Sequence, residues 1–176
     1  DSILVEGSEA YVSEPCVPMD NKTLRFVTEQ GVEYVRTPDE TFEGIASAGF
    51  PWEPKYVNID GMRMHYIDEG ISKEVFLMLH GQPTWAFLYR KMIPVLIDRG
   101  FRVICADHIG MGRSDKPTKL TEHTYAKHVS RMKDFIKSTI APTFPEITLF
   151  VQDWGSLIGL RVAGDEPDWF RRIIVA

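Results

Sequence analysis

At 176 residues, with 44% hydrophobic and 26% charged, the chain has the size and composition of one globular, soluble domain, not of a disordered, collagen-like or membrane protein. Its 20 Lys and Arg against 25 Asp and Glu leave a net charge of -5, without the cationic field that nucleic acid or an acidic membrane surface would require, so neither is expected as a partner. Two cysteines are too few for a disulfide framework, which points to a reducing, cytoplasmic compartment, and no stretch reaches the roughly 20 apolar residues of a membrane span.

The first residue is Asp1, not Met, so the N-terminus is expected to be incomplete. Residues 1–33, interrupted by Pro15 and Pro18, hold no period of 2 or 3.6 and are treated as an extension of no assigned role; the core domain is expected over residues 34–176. At Thr37-Pro38-Asp39-Glu40 a polar cap, a first-turn proline and an acid three residues past the cap predict a short helix. Val57-Asn58-Ile59 and Met62 to Ile67 flank Asp60-Gly61, the two-residue turn of a hairpin. Val75 to Leu79 is too short an apolar run for a helix and predicts a strand, followed by helical spacing from Trp85 to Arg99. The alternation repeats with a strand at Arg102 to Ala106 and a helix from Thr124 to Ile140, then a strand at Ile147 to Val151 and a helix from Trp154 to Asp165. Ile173 opens a last strand. The predicted class is α/β: an antiparallel hairpin leading into a mostly parallel sheet with helices on both faces. In such a sheet ligands bind beyond the carboxyl ends of the strands, here after residues 79, 106 and 152.

All three strand ends carry unusual residues. In His80-Gly81-Gln82-Pro83 the glycine permits a tight turn and the proline fixes the chain, leaving the Gln82 backbone N–H free to face the crevice as an oxyanion donor. The same tetrapeptide also reads as an ordinary turn. In Gly110-Met111-Gly112-Arg113-Ser114-Asp115 the third glycine of a dinucleotide loop is replaced by Asp115 and no helix follows directly, which argues against a nucleotide site. Asp107 and Arg113 there read equally as anchors for loop backbone and as residues with a direct catalytic role. Gln152-Asp153-Trp154-Gly155, between a strand and a helix, has the layout of a nucleophile elbow with Asp in the nucleophile's place. The competing reading makes Asp153 the N-cap of that helix.

These motifs, together with Thr84-Trp85, Arg36-Thr37-Pro38-Asp39 and Lys116-Pro117, resemble in order and spacing the haloalkane dehalogenases of the α/β-hydrolase fold, in particular the subgroup with Pro-Thr-Trp after the oxyanion turn. The resemblance runs from about Tyr34 to the end of the chain. It implies the N-terminal part of that fold, with the cap and the C-terminal part outside these residues. It further implies Asp153 as nucleophile, the backbone N–H groups of Gln82 and Trp154 as oxyanion donors, and the Trp154 indole as a halide donor. Gln82 stands where some relatives carry an Asn that supplies a second halide donor, and Trp154 also reads as a core aromatic. A carboxylate suits this chemistry because it attacks a saturated carbon directly and forms an ester, with no base needed for that step.

Hydrolysing the ester does need a base. In this fold the histidine follows the nucleophile along the chain, yet His65, His80, His108, His123 and His128 all precede Asp153. The residues after it include Asp165, Glu166 and Asp168, read as solvated charge. The triad's acid and histidine are therefore expected beyond Ala176, and turnover is not expected from these residues alone. The implied partners are a small halogenated or epoxide-type substrate and water, with no metal or organic cofactor. An epoxide hydrolase, which uses the same Asp elbow, and a noncatalytic binding protein of the same fold remain the alternatives.

Overall fold

The Asp60-Gly61 pair turns the chain with φ of 56° and 76°, the left-handed pair that a two-residue hairpin requires. It joins β3 (Lys55–Ile59) to β4 (Met62–Glu69) in antiparallel register, with Val57 opposite Met64. This computed structural model describes residues 24–140 and 147–176; Pro15, Cys16 and Pro18 lie outside the described residues.

The hairpin opens a six-stranded sheet with β5 (Val75–Leu79), β6 (Arg102–Ala106), β8 (Ile147–Val151) and β9 (Phe170–Val175), in the order β3-β4-β6-β5-β8-β9. β4 pairs antiparallel with β6, and from β6 onward all neighbours are parallel. A parallel strand is buried on both faces, which is why β5 reads as an unbroken apolar run and β6 is apolar after Arg102. Leu77, Leu79 and Ile104 pack on one face against Met132, Phe135 and Ile136 of α2 (Tyr125–Thr139) and Ile158 and Val162 of α3 (Trp154–Asp165). Met78, Val103 and Cys105 pack on the other against Phe50, Tyr89 and Ile93 of α1 (Ile93–Asp98). Each fully buried Leu, Ile, Met or Phe side chain contributes about 1.5–3 kcal/mol, so both helical layers are held mainly by these contacts. Thr124 caps α2 by accepting a hydrogen bond from the Lys127 N–H at 3.3 Å.

Four local expectations change. The helix expected over Trp85 to Arg99 is divided into a 3-10 turn at Ala86–Tyr89 and the six-residue α1. Pro94 near the start of α1 has no N–H to give to Arg90, so the first turn cannot be continued backward as an α-helix. The helix expected from Thr37 is a single 3-10 turn, Asp39–Phe42, with Pro38 in the cap position and no side-chain cap bond. It ends because Glu43 is extended and Gly44 takes φ of 79°, which no helix accommodates. The last strand begins at Phe170, three residues before the apolar run that announced it. Finally, β1 (Leu24–Val27) and β2 (Glu33–Arg36) form a hairpin that β7 (Lys116–Pro117) extends to a second, three-stranded sheet. The Arg36 guanidinium ties it to the glycine-rich loop by two bonds to Asp115, at 2.7 and 2.8 Å. Among the described residues no helix is long and apolar enough to cross a membrane.

Candidate active site

β5, β6 and β8 lie side by side and end level with one another, Leu79 in register with Ala106 and Val151. The three segments that follow them meet in one place. After β8 the chain turns sharply at Asp153, whose φ of 51° and ψ of -124° lie where a residue with a Cβ is strained. Such a turn persists only when its surroundings determine it. Here Gly155 is packed so tightly that a Cβ would lie 2.1 Å from the Leu79 carbonyl oxygen, and a Cβ on Gly81 would lie 2.4 Å from the Asp153 Cβ. Gly155 allows backbone to approach backbone, and Gly81 makes room for the Asp153 side chain.

The turn leaves Asp153 exposed at the head of α3 with no side-chain cap bond to its own helix. Its Oδ1 instead accepts a hydrogen bond from the Gln82 N–H at 2.8 Å, across 71 residues of sequence. The Trp154 and Gln82 backbone N–H groups hold the carboxyl below the usual carboxylate range, so it is an anion at neutral pH. The structure thus brings together Asp153 and both backbone donors that the sequence singled out. Trp154 is half-buried and Gln82 exposed, and both line an open crevice of about 550 Å³.

Opposite them the crevice is walled by the Gly110-Met111-Gly112 loop, Lys116, Leu120, His123 and His128. Sequence order hid these last two histidines, because they precede Asp153 by a helix and a strand, and no spacing rule connects them to it. His123 donates from Nε2 to the Pro117 carbonyl at 2.9 Å. The ring centroid of His128 lies 6.2 Å from that of His108, which in turn lies 4.6 Å from that of His80 at the oxyanion turn. Burial, then the nearby Arg131 and His123, push His128 down to about 4. Burial, then His80 and His128, pushes His108 well below its ordinary range, and burial also lowers His80.

All three are neutral in the fold but accept protons once unfolded. The His128 contribution is therefore complete above the unfolded value near 6.5 and is lost as pH falls through about 4, and the lowered His80 and His108 act in the same direction. The urea midpoint should fall between pH 7.5 and pH 5, and a midpoint unchanged over that range would contradict buried neutral histidines.

The second loop is anchored by Asp107, which is wholly buried. Its carboxylate accepts from the N–H groups of Ala86 at 2.8 Å and Arg113 at 2.9 Å, and pairs with His65 Nδ1 at 2.8 Å. Gly112, at φ of 51°, sits so close that a Cβ would meet Asp107 Oδ2 at 2.2 Å. At the far end of α3, Asp165 is paired with Lys133 and Arg161, both at 2.9 Å, and Glu166 lies 3.6 Å from Lys133, so these acids serve the helix surface. Among the described residues no three His, Cys, Asp or Glu side chains gather as a metal site would require.

The open parallel sheet with a strained elbow after its third parallel strand is matched by the family model of the alpha/beta hydrolase fold over residues 74–176, and the chain belongs to that family. Within it, the likeness expected from the motifs is found in relatives named haloalkane dehalogenase. One from Mycobacterium marinum is 46% identical over 151 residues, 82% of this chain and 49% of the relative; one from Psychrobacter cryohalolentis is 43% identical over 148 residues. Among solved structures, the haloalkane dehalogenase DpaA from Paraglaciecola agarilytica, described as tetrameric, superposes with a TM-score of 0.73 at 40% identity, covering 80% of this chain and 47% of that one. An epoxide hydrolase from Vigna radiata superposes with a TM-score of 0.64 at 26% identity, over 70% of this chain and 39% of that one. The chain spans about half the length of the relatives it matches.

Proposed function

We propose that Asp153 is the nucleophile of a haloalkane dehalogenase-like hydrolase and is alkylated by a small haloalkane. The observation that carries this reading is the Asp153 carboxylate itself: exposed at a strained elbow, unused as a helix cap, and held as an anion by the Gln82 N–H at 2.8 Å. In the proposed step one carboxylate oxygen attacks the halogen-bearing carbon, the carbon–halogen bond breaks, and the halide leaves with the bonding pair. The products are an alkyl ester of Asp153 and a halide ion. The Trp154 indole N–H and the Gln82 amide are the groups proposed to stabilise that ion, both residues lining the crevice.

When water later attacks the ester carbon, the oxyanion formed would receive the same backbone donors that now hold the carboxylate. That step requires a base, and no histidine follows Asp153 in this sequence. The complete cycle, giving alcohol, halide and a proton with water as cosubstrate, is proposed for the protein at the length of its relatives. Ester formation needs only the residues described.

Incubating the chain with 1-bromobutane should therefore add one butyl group to the intact mass, localised to Asp153 by peptide mapping and persistent because its hydrolysis is slow. A folded chain that acquires no such adduct would remove the dehalogenase reading. The likeness to the Vigna radiata epoxide hydrolase supports a second reading at the same carboxylate. An epoxide that labels Asp153 where bromobutane does not would favour it.

A further inference from the structure

The Gly81–Gln82 peptide is bonded on both sides, and the two sides do different things. In a planar trans peptide the carbonyl of one residue and the N–H of the next point in opposite directions. The Gln82 N–H points at Asp153 Oδ1, 2.8 Å away. On the opposite side, the Gly81 carbonyl accepts three hydrogen bonds: from the Thr84 hydroxyl at 2.8 Å, from His80 Nδ1 at 2.8 Å and from the Thr84 N–H at 3.1 Å. A carbonyl drawn on by several donors polarises its own amide, which makes the N–H a stronger donor.

His80 is itself fixed in one tautomer. Its Nδ1 must carry the proton, because the Gly81 oxygen can only accept. Its Nε2 must be bare, because the His108 backbone N–H donates to it at 3.1 Å. His108 closes the arrangement by donating from its own Nε2 to the His80 carbonyl at 3.1 Å. The imidazole is wholly buried, so neither bond competes with solvent.

We infer that His80 and Thr84 are positioning residues for Asp153: through the Gly81 carbonyl they aim and strengthen the Gln82 N–H on the far side of the same peptide. The catalytic meaning of that aim rests on the nucleophile reading above; the bonding pattern does not. A turn stabilised only for its shape would need the Thr84 N–H, which closes it, but would be indifferent to the two side-chain donors.

The test is NMR on the labelled 176-residue chain, reading the Gln82 amide proton and the titration of the Asp153 carboxyl carbon. Thr84→Val keeps the shape and removes the hydroxyl; the Gln82 amide should move upfield and the Asp153 midpoint should rise toward the ordinary aspartate value. Thr84→Ser restores the hydroxyl and should return both signals to those of the parent chain. His80→Phe should move both in the same direction as Thr84→Val. If that variant does not fold, the Thr84 pair decides alone. A Gln82 amide and an Asp153 titration unchanged in Thr84→Val would overturn the inference. Failure of the parent chain to be alkylated would overturn the nucleophile reading and leave these signals untouched, so the two failures are distinguishable.

Discussion

Asp153→Asn should remain at its unmodified mass after bromobutane treatment, with the rate of adduct formation lowered by about 10⁴-fold or more, the scale on which loss of a catalytic nucleophile falls. The amide oxygen carries no full charge and its lone pairs are shared with the amide nitrogen, so it attacks saturated carbon poorly. The fold should survive. Asp153 is exposed and accepts no side-chain cap bond, and Asn tolerates positive φ as well as Asp does. The amide oxygen can still accept from the Gln82 N–H, so the urea midpoint should stay close to that of the parent. Loss of labelling with an unchanged urea transition is the expected pair of results. Labelling that persists in Asp153→Asn would show that the alkylated group lies elsewhere.

The buried strands were legible because burial on both faces leaves few polar positions. β5, β6 and β8 begin and end where the sequence places those strands. Helical spacing was less informative where one residue governed the backbone, as Pro94 does in dividing the segment before α1. The strands β1 and β7 gave no signal, because each is short and mostly pairs at the molecule's periphery.

The candidate site shows the same division. The elbow was recognisable as a strand, an acid, an aromatic residue and a glycine in sequence. The reason for Gly81 was not: it does not take positive φ, and its small size matters because Asp153 passes within 2.4 Å of where a Cβ would be. His123, His128 and Lys116 in the crevice wall belong to a loop, a helix and the short strand β7, whose approach to one another follows only from the fold. Chain order showed that no histidine follows Asp153, but it could not show which earlier ones line a crevice with Gln82 and Trp154.

Asp107→Ala should be the most damaging single change to stability, costing about 3–5 kcal/mol. Burial alone would push this carboxyl up, but the adjacent His65 and the donors around it hold it below the usual range, so it is ionised within the core. Its removal strands the Ala86 and Arg113 N–H groups and His65 Nδ1 away from water, each a buried donor that has lost its acceptor. These bonds connect β4, the segment entering the 3-10 turn after Trp85 and the glycine loop that walls the crevice, so all three would loosen together. A domain of this kind is stable by roughly 5–15 kcal/mol, which makes such a loss a large part of the total. Asp107→Asn keeps the shape and one acceptor oxygen and should cost about 1–3 kcal/mol. Urea unfolding should show the midpoint falling in the order parent, Asn, Ala with little change in slope. Equal midpoints for the parent and the Ala variant would mean that these loops are held by packing and not by the buried carboxylate.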